Sequence, residues 1–179
     1  VGFEAFELTP VQRNTLCGLI QSPGPVHILF YGKPGTGKTE LSRALTEYCG
    51  KPAVFVNYGA DGDGQDRKTA LLATVNSGPK DHIVLVDEVD GLLNTRRFFG
   101  EAKVNKGWIN NFLDRSLHKI IWISNETKGM EESVRRRFEY NLRFRQLSWR
   151  QREKIWLLQL RKCRIKRFFN TEDIRQLSR

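Results

Sequence analysis

One stretch of the sequence constrains the fold more than any other: residues 26–49, VHILFYGKPGTGKTELSRALTEYC. Residues 32–39 of this stretch, GKPGTGKT, match G-x-x-x-x-G-K-[ST], the pattern of a phosphate-binding loop. An apolar, β-prone run over 26–31 precedes the loop, and an amphipathic helical pattern follows it. A strand, a glycine loop and a helix in this order present backbone N–H groups and a helix N-terminus to a phosphate group. The stretch therefore predicts a nucleotide-binding α/β fold.

The residues of the loop have separate predicted roles. Gly35 and Gly37 allow a backbone path that turns several N–H groups inward, because glycine accepts conformations that other residues avoid. Lys38 is expected to meet the β- and γ-phosphates of ATP, and the Thr39 hydroxyl is expected to bind Mg²⁺. The predicted nucleotide-binding residues are Gly32, Pro34, Gly35, Thr36, Gly37, Lys38 and Thr39.

Strand and helix patterns alternate along the chain. Short apolar runs that suit buried parallel strands lie at residues 26–31, 52–58, 82–89, 119–124 and 140–144. Helical patterns separate them, so the sequence predicts a P-loop NTPase fold, a three-layer α/β sandwich with a five-stranded parallel sheet. Beyond the last strand, an S-x-x-Q capping pattern starting at Ser148 opens a basic helix, and Thr171 is expected to cap a final helix.

The positive charge is concentrated at one end of the chain. The net charge is +10, yet residues 1–134 hold 15 Lys and Arg against 16 Asp and Glu, whereas residues 135–179 hold 15 against 4. This asymmetry indicates an acidic partner such as nucleic acid, and a solvated helix face or a surface for a neighbouring subunit explains it as well. Four aromatic residues of the basic segment could stack on bases, although their helical spacing favours core packing: Trp149, Trp156, Phe168 and Phe169.

Composition excludes several classes of protein. No apolar run approaches the roughly 20 residues of a membrane span, and there is no signal peptide. The chain starts at Val1 without Met, which we interpret as a sign that it is a piece of a longer protein.

The three cysteines are far apart and lack metal-ligand spacing, so they are interpreted as free thiols of a reducing, cytoplasmic compartment. The three histidines are isolated and are interpreted as structural: His27, His82 and His118.

Polar residues follow two of the predicted strands and suggest hydrolysis. Hydrolysis requires a second metal anchor and a group that orients water. At the end of the 82–89 run, Asp87 is predicted to hold Mg²⁺ through its water shell and Glu88 to activate the attacking water, whereas Asp90 is structural or faces solvent. Asn125 follows the strand at 119–124, where its amide could contact the γ-phosphate or simply start a turn.

Three consecutive arginines, residues 135–137, stand just before the predicted fifth strand. Arginine beside a transferring phosphate neutralises the charge of the transition state, and a neighbouring subunit can donate it in trans. A basic surface run is the alternative interpretation.

The motifs GKPGTGKT, IVLVDEVD, WISN and VRRRF, in this order, resemble those of the AAA+ ATPase superfamily over roughly residues 8–147. The resemblance implies a nucleotide-binding domain over 1–147 and a partial helical lid over 148–179. It also implies a ring of subunits, usually a hexamer, that binds ATP between subunits. By the same resemblance Asn125 senses the γ-phosphate, and Arg136 and Arg137 are the arginine-finger candidates. The catalytic set is then Lys38, Glu88, Asn125, Arg136 and Arg137, and the metal ligands are Thr39 and Asp87.

The first functional hypothesis is a ring-forming ATPase that uses Mg-ATP to remodel a macromolecule. The alternative is a DNA-associated ATPase of the clamp-loader or helicase-loader type that uses the basic C-terminal segment. A nucleotide or small-molecule kinase shares the loop but usually lacks the later motifs, and intact Lys38, Asp87 and Glu88 argue against a non-catalytic module. Residues 96–99, RRFF, form either a pore-facing loop or an ordinary surface loop.

Overall fold

The computed structural model describes residues 2–56, 64–94, 106–164 and 168–178. The RRFF segment at 96–99 lies outside the described residues. The chain separates into two compact units, Val1–Phe144 and Arg145–Arg179. The sequence places this division at 147/148, three residues further along.

The first unit is built on a parallel sheet. Its strands are β1 (Val26–Tyr31), β2 (Ala53–Phe55), β3 (Ile83–Val86), β4 (Lys119–Ser124) and β5 (Tyr140–Arg143). They lie in the order β2-β3-β4-β1-β5, and every neighbouring pair is parallel. The predicted five-stranded parallel α/β fold is therefore confirmed. β3 is shorter than the apolar run at 82–89, because the backbone leaves the extended conformation at Glu88, where φ is 51°.

Helices precede and connect these strands. They are α1 (Pro10–Gln21), α2 (Lys38–Tyr48), α3 (Gly64–Ser77), α4 (Asp90–Leu93), α5 (Lys106–Arg115) and α6 (Glu132–Arg135), and a 3₁₀ turn covers Phe3–Ala5. Thr9 caps α1: its side chain accepts from the backbone N–H of Gln12, while the Gln12 side chain accepts from the Thr9 N–H.

Alternate residues of the central strands enter two separate cores. Leu29, Val84 and Trp122 lie in one buried cluster, with residues of α3, α4 and α5. Ile28 and Leu85, their neighbours in sequence, lie in the other, with residues of α1 and α2. Because side chains of a strand point to opposite faces in turn, both faces of this sheet are covered. This double coverage is the reason that the strands read as continuous apolar runs.

The strand register gathers the polar residues of the motifs. Tyr31, the last residue of β1, is opposite Ser124, the last residue of β4, and Val86 at the end of β3 is opposite Trp122. The chain therefore leaves β1, β3 and β4 at the same edge of the sheet, its carboxyl edge. Ligands of open parallel sheets bind at this edge.

The second unit holds two helices, α7 (Trp149–Lys162) and α8 (Thr171–Ser178). Ser148 and Gln151 form the predicted capping box of α7. The prediction that Thr171 caps α8 is wrong. Asn170 caps that helix, since its Oδ1 accepts from the Asp173 N–H at 2.8 Å and Asp173 Oδ2 accepts from the Asn170 N–H at 2.8 Å. Asn and Thr are both good capping residues, and only the backbone path selects between them.

Core packing does not account for all the aromatic residues of this unit. Leu160 and Ile174 are buried, but Trp149 is 45% exposed and Trp156 is 38% exposed. The Trp156 indole N–H donates to the Leu177 carbonyl at 3.1 Å, so this ring is held with part of its surface uncovered. The expectation that helical spacing buries these tryptophans is wrong, because two short helices have too little surface to enclose them.

Candidate functional site

The phosphate loop lies between β1 and α2, at the carboxyl edge of the sheet. Gly35 and Gly37 have φ angles of +72° and +87°, conformations that favour glycine. Gly32 is required for a different reason: a Cβ atom at that position would lie 2.3 Å from the carbonyl oxygen of Phe144. Gly32 also has a positive φ, +148°, so backbone conformation favours glycine at all three positions and close approach requires it at Gly32 as well.

Lys38 lies inside the loop and is buried at 6% exposed. Its ammonium group donates to the carbonyl oxygens of Gly32 at 2.6 Å and Lys33 at 3.0 Å, and to Asn125 Oδ1 at 3.1 Å. These three acceptors match the three donors of a lysine side chain. Burial lowers the pKa of Lys38, and the carboxylates of Asp87 and Asp90 partly offset this effect. The arrangement holds one positive charge where the loop would receive a phosphate.

Thr39 and Asp87 form the predicted metal-binding pair. The Thr39 hydroxyl donates to Asp87 Oδ2 at 2.6 Å, although 48 positions separate the two residues in sequence. The other carboxylate oxygen, Asp87 Oδ1, accepts from the Glu88 backbone N–H at 2.8 Å. One hydroxyl oxygen and one carboxylate oxygen side by side suit Mg²⁺, which prefers oxygen ligands and keeps several waters.

Glu88, the predicted base, lies directly beyond this pair. Its φ of 51° places a non-glycine residue in the left-handed region, at a cost of about 1 kcal/mol or more. The side chain is 64% exposed, and its Oε2 lies 3.5 Å from Nη2 of Arg67 on α3. Nη1 of Arg67 also donates to the Glu88 carbonyl oxygen. The carboxylate thus lies at the open side of the loop with an arginine beside it.

Asp90 organises the chain after β4, a role that the sequence leaves open between structural and solvent-facing. Its Oδ1 accepts from the Ser124 hydroxyl at 2.8 Å and from the backbone N–H groups of Asn125 at 2.9 Å and Glu126 at 3.0 Å. Asp90 is thus a positioning residue for Asn125, whose side-chain oxygen meets Lys38. In the sequence, the sign of this role is that Asp90 is the third carboxylate of DEVD. The partners of Asp90 could not be predicted, because they depend on the pairing of β3 with β4.

The arginine segment lies at the opposite edge of the sheet. Residues 135–137 precede β5, whose amino end is beside that of β1: the His27 N–H donates to Glu139 Oε2 at 2.6 Å. β1 has six residues, so the two edges are about 17 Å apart. The structure therefore gathers Lys38, Thr39, Asp87 and Asn125 at one edge and leaves Arg136 and Arg137 at the other.

The two finger candidates differ in their surroundings. Arg137 pairs with Asp114 through Nε at 2.8 Å and Nη2 at 3.1 Å, and it also donates to the Ser133 carbonyl. This hydrogen bond from Arg137 lowers the pKa of Asp114. Arg136 is exposed. One arginine is therefore used within its own chain, and the other faces solvent.

The residues of the loop fit a magnesium-bound nucleotide. Within the described ranges, no group of three or more His, Cys, Asp and Glu side chains could hold a metal ion alone. A divalent ion beside Thr39 and Asp87 would therefore need oxygens from water and from phosphates, as Mg²⁺ does in nucleotide sites. The buried Lys38 and the positive-φ glycines suit the phosphates themselves.

A family model described as "ATPase family associated with various cellular activities (AAA)" matches residues 28–146. Fidgetin-like protein 1 of Caenorhabditis elegans is 28% identical over 149 residues, which cover 74% of this chain and 24% of that protein. Tat-binding homolog 7 of Caenorhabditis briggsae is 30% identical over 139 residues, 67% of this chain and 11% of that protein.

Spastin of Drosophila persimilis is 30% identical over 128 residues, 62% of this chain and 16% of that protein. The chain thus spans a quarter or less of the length of these relatives. In the described part of the chain, no helix combines the length and the apolar character needed to cross a membrane.

Proposed function

Because the chain belongs to the AAA family of ATPases, we propose that it binds and hydrolyses Mg-ATP as one subunit of a ring oligomer, usually a hexamer in the superfamily. Hydrolysis would drive the remodelling of a macromolecule. One observation carries the proposal: Lys38 contacts Asn125 and Thr39 contacts Asp87, so residues from three strand ends meet at one edge of the sheet. Relatives named fidgetin-like protein and spastin support it.

Each residue at this edge has a proposed task. Lys38 and the loop N–H groups would hold the phosphate oxygens, and Thr39 with Asp87 would hold Mg²⁺. Mg²⁺, when bound, neutralises charge on the phosphate oxygens. Glu88 would accept a proton from the attacking water, and Asn125 would orient that water or the γ-phosphate. Asp90 keeps Asn125 in place through the three donors that it accepts from.

The position of Arg136 and Arg137 supports the assembly of several subunits. A sheet edge about 17 Å from the loop is too far for Arg136 or Arg137 to reach the nucleotide of its own chain. A neighbouring subunit that presents its amino edge to this loop would bring an arginine to the γ-phosphate. The site of hydrolysis would then lie between two copies of the chain.

ATP turnover measured against protein concentration tests this proposal. If the site is completed in trans, the rate per subunit rises steeply over the concentration range in which the chain assembles, as sedimentation reports it. A rate per subunit that is constant across assembly would contradict the trans arrangement. Release of inorganic phosphate without a phosphorylated acceptor separates an ATPase from a kinase, and the absence of any turnover by the assembled protein would leave only a binding module.

A DNA-associated ATPase is the second candidate. The observation that favours it is the second unit, in which exposed Trp149 and Trp156 accompany a strong excess of Lys and Arg. Exposed aromatic rings next to cations bind single strands by stacking and by charge. The test is the ATPase rate with and without single-stranded DNA at two salt concentrations; DNA binding that weakens steeply with salt supports it. Unchanged turnover and no binding would exclude it.

Proposals for the substrate and the compartment rest on the basic residues and on the cysteines. The Lys and Arg residues within 135–179 remain candidates for binding an acidic partner of either kind, protein or nucleic acid. Cys17, Cys49 and Cys163 are free thiols, as the sequence predicts. A reducing, cytoplasmic location stays a prediction from these thiols.

A further inference from the structure

A cleft of about 420 Å³ lies between α3 and α5, away from the phosphate loop. Its lining comes from the second half of α3, from Lys80 after that helix, from α5 and from the residues between α5 and β4. His118 immediately precedes β4, so the cleft opens at the amino edge of the sheet, opposite the edge where Lys38 lies. The proposed ATPase function uses none of the residues that line it.

His118 is the unusual group in this cleft. The side chain is 6% exposed, yet neither ring nitrogen has a hydrogen-bond partner among the described residues. Buried polar groups are nearly always paired, because an unpaired group costs about 1–3 kcal/mol. His118 lines the cleft, but protein atoms cover both ring nitrogens, so a molecule in the cleft can provide the missing partner once the ring turns toward it.

The charged side chains that line the cleft are basic. Lys80 and Arg115 line it and are exposed, and the amides of Asn76 and Asn111 lie beside them. None of the described lining residues is acidic. Both cations stand near the C-terminal ends of helices, where they offset the helix dipole, but this role does not require a buried imidazole in the same cleft.

The remaining lining is apolar. Leu72 and Val75 of α3 line the cleft together with Phe112 and Leu117, and the Trp108 ring stacks on Phe112 with centroids 5.4 Å apart. Leu117 is 65% exposed, which is unusual for a leucine beside a cleft rather than within a core. A ligand for this cleft would therefore present apolar surface as well as a negative charge.

We propose that this cleft binds a carboxylate attached to a small apolar group, with His118, Lys80 and Arg115 of its lining receiving the carboxylate. A singly charged group fits better than a phosphate, because the partial negative charge of the helix ends that line the cleft opposes a dianion more strongly than a monoanion. The carboxylate has two possible sources, a free apolar acid or the C-terminal residue of a polypeptide.

Histidine NMR tests the proposal directly, because the chain has only three histidines. Burial, with the nearby Lys80, lowers the pKa of His118 in the free protein. A bound carboxylate favours the protonated ring and raises this pKa. The probes are N-acetylleucine, which has both features, N-acetylleucine amide, which lacks the charge, and acetate, which lacks the apolar group. We expect only N-acetylleucine to move the His118 signals, with those of His27 and His82 unchanged.

Variants separate the cleft from general charge effects. Lys80→Ala is expected to weaken binding of N-acetylleucine about tenfold, the value of one charge-assisted hydrogen bond. Lys128→Ala removes another exposed lysine, outside the cleft, and is expected to change nothing. His118→Gln removes the NMR reporter, so its binding of N-acetylleucine is measured by isothermal titration calorimetry and is expected to be lost. ADP binding at the phosphate loop reports whether each variant is folded, since Lys38 lies at the other edge.

Two results would overturn the proposal. The first is an equal response to N-acetylleucine and its amide, and the second is no response at millimolar concentration, which means that the cleft holds only water. A pentapeptide that ends in leucine distinguishes the two sources. Tighter binding of the peptide than of N-acetylleucine identifies a polypeptide C-terminus, and equal binding identifies a free acid.

Discussion

The hydroxyl of Thr39 donates a 2.6 Å hydrogen bond to Asp87 Oδ2 and so joins the first turn of α2 to the end of β3. Neither residue has a local reason to meet the other, because 48 positions separate them in the chain. The contact exists because β3 and β1 flank β4 in the sheet. It places two oxygen ligands together at the point where a magnesium-bound phosphate would lie.

Removing the Thr39 hydroxyl should make ATP binding insensitive to magnesium. Thr39→Val keeps the shape of the side chain and removes a ligand, so we expect ATP affinity in the presence of Mg²⁺ to fall at least tenfold, toward the value in EDTA. Thr39→Ser keeps the hydroxyl and is the matched control. Fluorescent ATP titrations with and without Mg²⁺ measure the difference; the same magnesium dependence in both variants would show that Thr39 is not a ligand.

Loss of Asp90 should slow hydrolysis without weakening ATP binding. Asp90→Ala leaves the N–H groups of Asn125 and Glu126 without their acceptor, whereas the Ser124 hydroxyl can still donate to the Glu126 carbonyl. We expect kcat to fall more than tenfold and stability to fall by about 1–3 kcal/mol. Asp90→Asn keeps an acceptor oxygen and should restore part of kcat. Steady-state kinetics, ATP affinity and thermal unfolding are measured together. A purely structural role predicts lower stability with unchanged kcat in the folded fraction.

Alanine substitution of the two arginine-finger candidates should affect the stability of the protein differently. Arg136 is exposed, so Arg136→Ala is expected to keep the wild-type Tm and ATP affinity while kcat falls about 10³-fold. Arg137→Ala breaks the pair with Asp114, so it should also lower stability, by about 0.5–1 kcal/mol for a partly exposed pair.

Mixing subunits tests whether Arg136 acts in trans. Arg136→Ala subunits retain Glu88, and Glu88→Gln subunits retain Arg136, so a mixed ring contains some interfaces with both groups intact. Neither variant alone should hydrolyse ATP at a useful rate. If the mixture remains as inactive as its components after assembly, the arginine does not serve a neighbouring site.

Stability should fall as the pH drops below about 6.5 because of His27. The ring is buried: Nδ1 accepts from the Trp122 indole N–H at 3.2 Å, and Nε2 donates to the Leu113 carbonyl at 3.1 Å. Burial lowers the pKa of His27, partly offset by Glu139 and the Leu113 carbonyl. At pH values above the unfolded pKa of about 6.5 neither state binds the proton, so the full stability is present.

Below that pH the unfolded chain takes up a proton that the folded ring resists, so stability falls until the folded pKa is reached. One such group contributes at most about 1.4 kcal/mol per pH unit. Urea unfolding between about pH 8 and pH 5 measures this slope, and carboxylates titrate mainly below that range. His118 has a lowered pKa for the same main reason, so the difference between wild type and His27→Gln isolates His27. Equal slopes in the two proteins would exclude it.

The cysteines should differ in reactivity. Burial, with Cys17 adjacent, raises the pKa of Cys49 to about 12, whereas Cys163 is exposed. The thiolate is the reactive form, so iodoacetamide at pH 8 should modify Cys163 much faster than Cys49. Mass spectrometry of peptides at timed intervals measures both rates. Comparable rates in the folded protein would contradict the partly buried environment of Cys49.

The sequence predicts the local features of this chain well. The bounds of β1 and β4, the glycine loop and the capping box at Ser148 follow from residues near one another, whose conformational preferences act locally. The cap of α8 shows the limit of such reasoning: Asn170 and Thr171 are adjacent and chemically similar, and the choice between them depends on where the helix begins.

By itself the sequence determined that a phosphate loop, an Asp-Glu pair, an Asn and an arginine segment follow one another on alternating strands and helices. Only the tertiary structure decided which of these residues meet. Strand order brought Lys38 to Asn125 and Thr39 to Asp87, made Asp90 the partner of the chain after β4, and left Arg136 at the opposite edge. The physical reason is that pairing between strands distant in sequence depends on burying both faces of the sheet at once, a condition that no local stretch encodes.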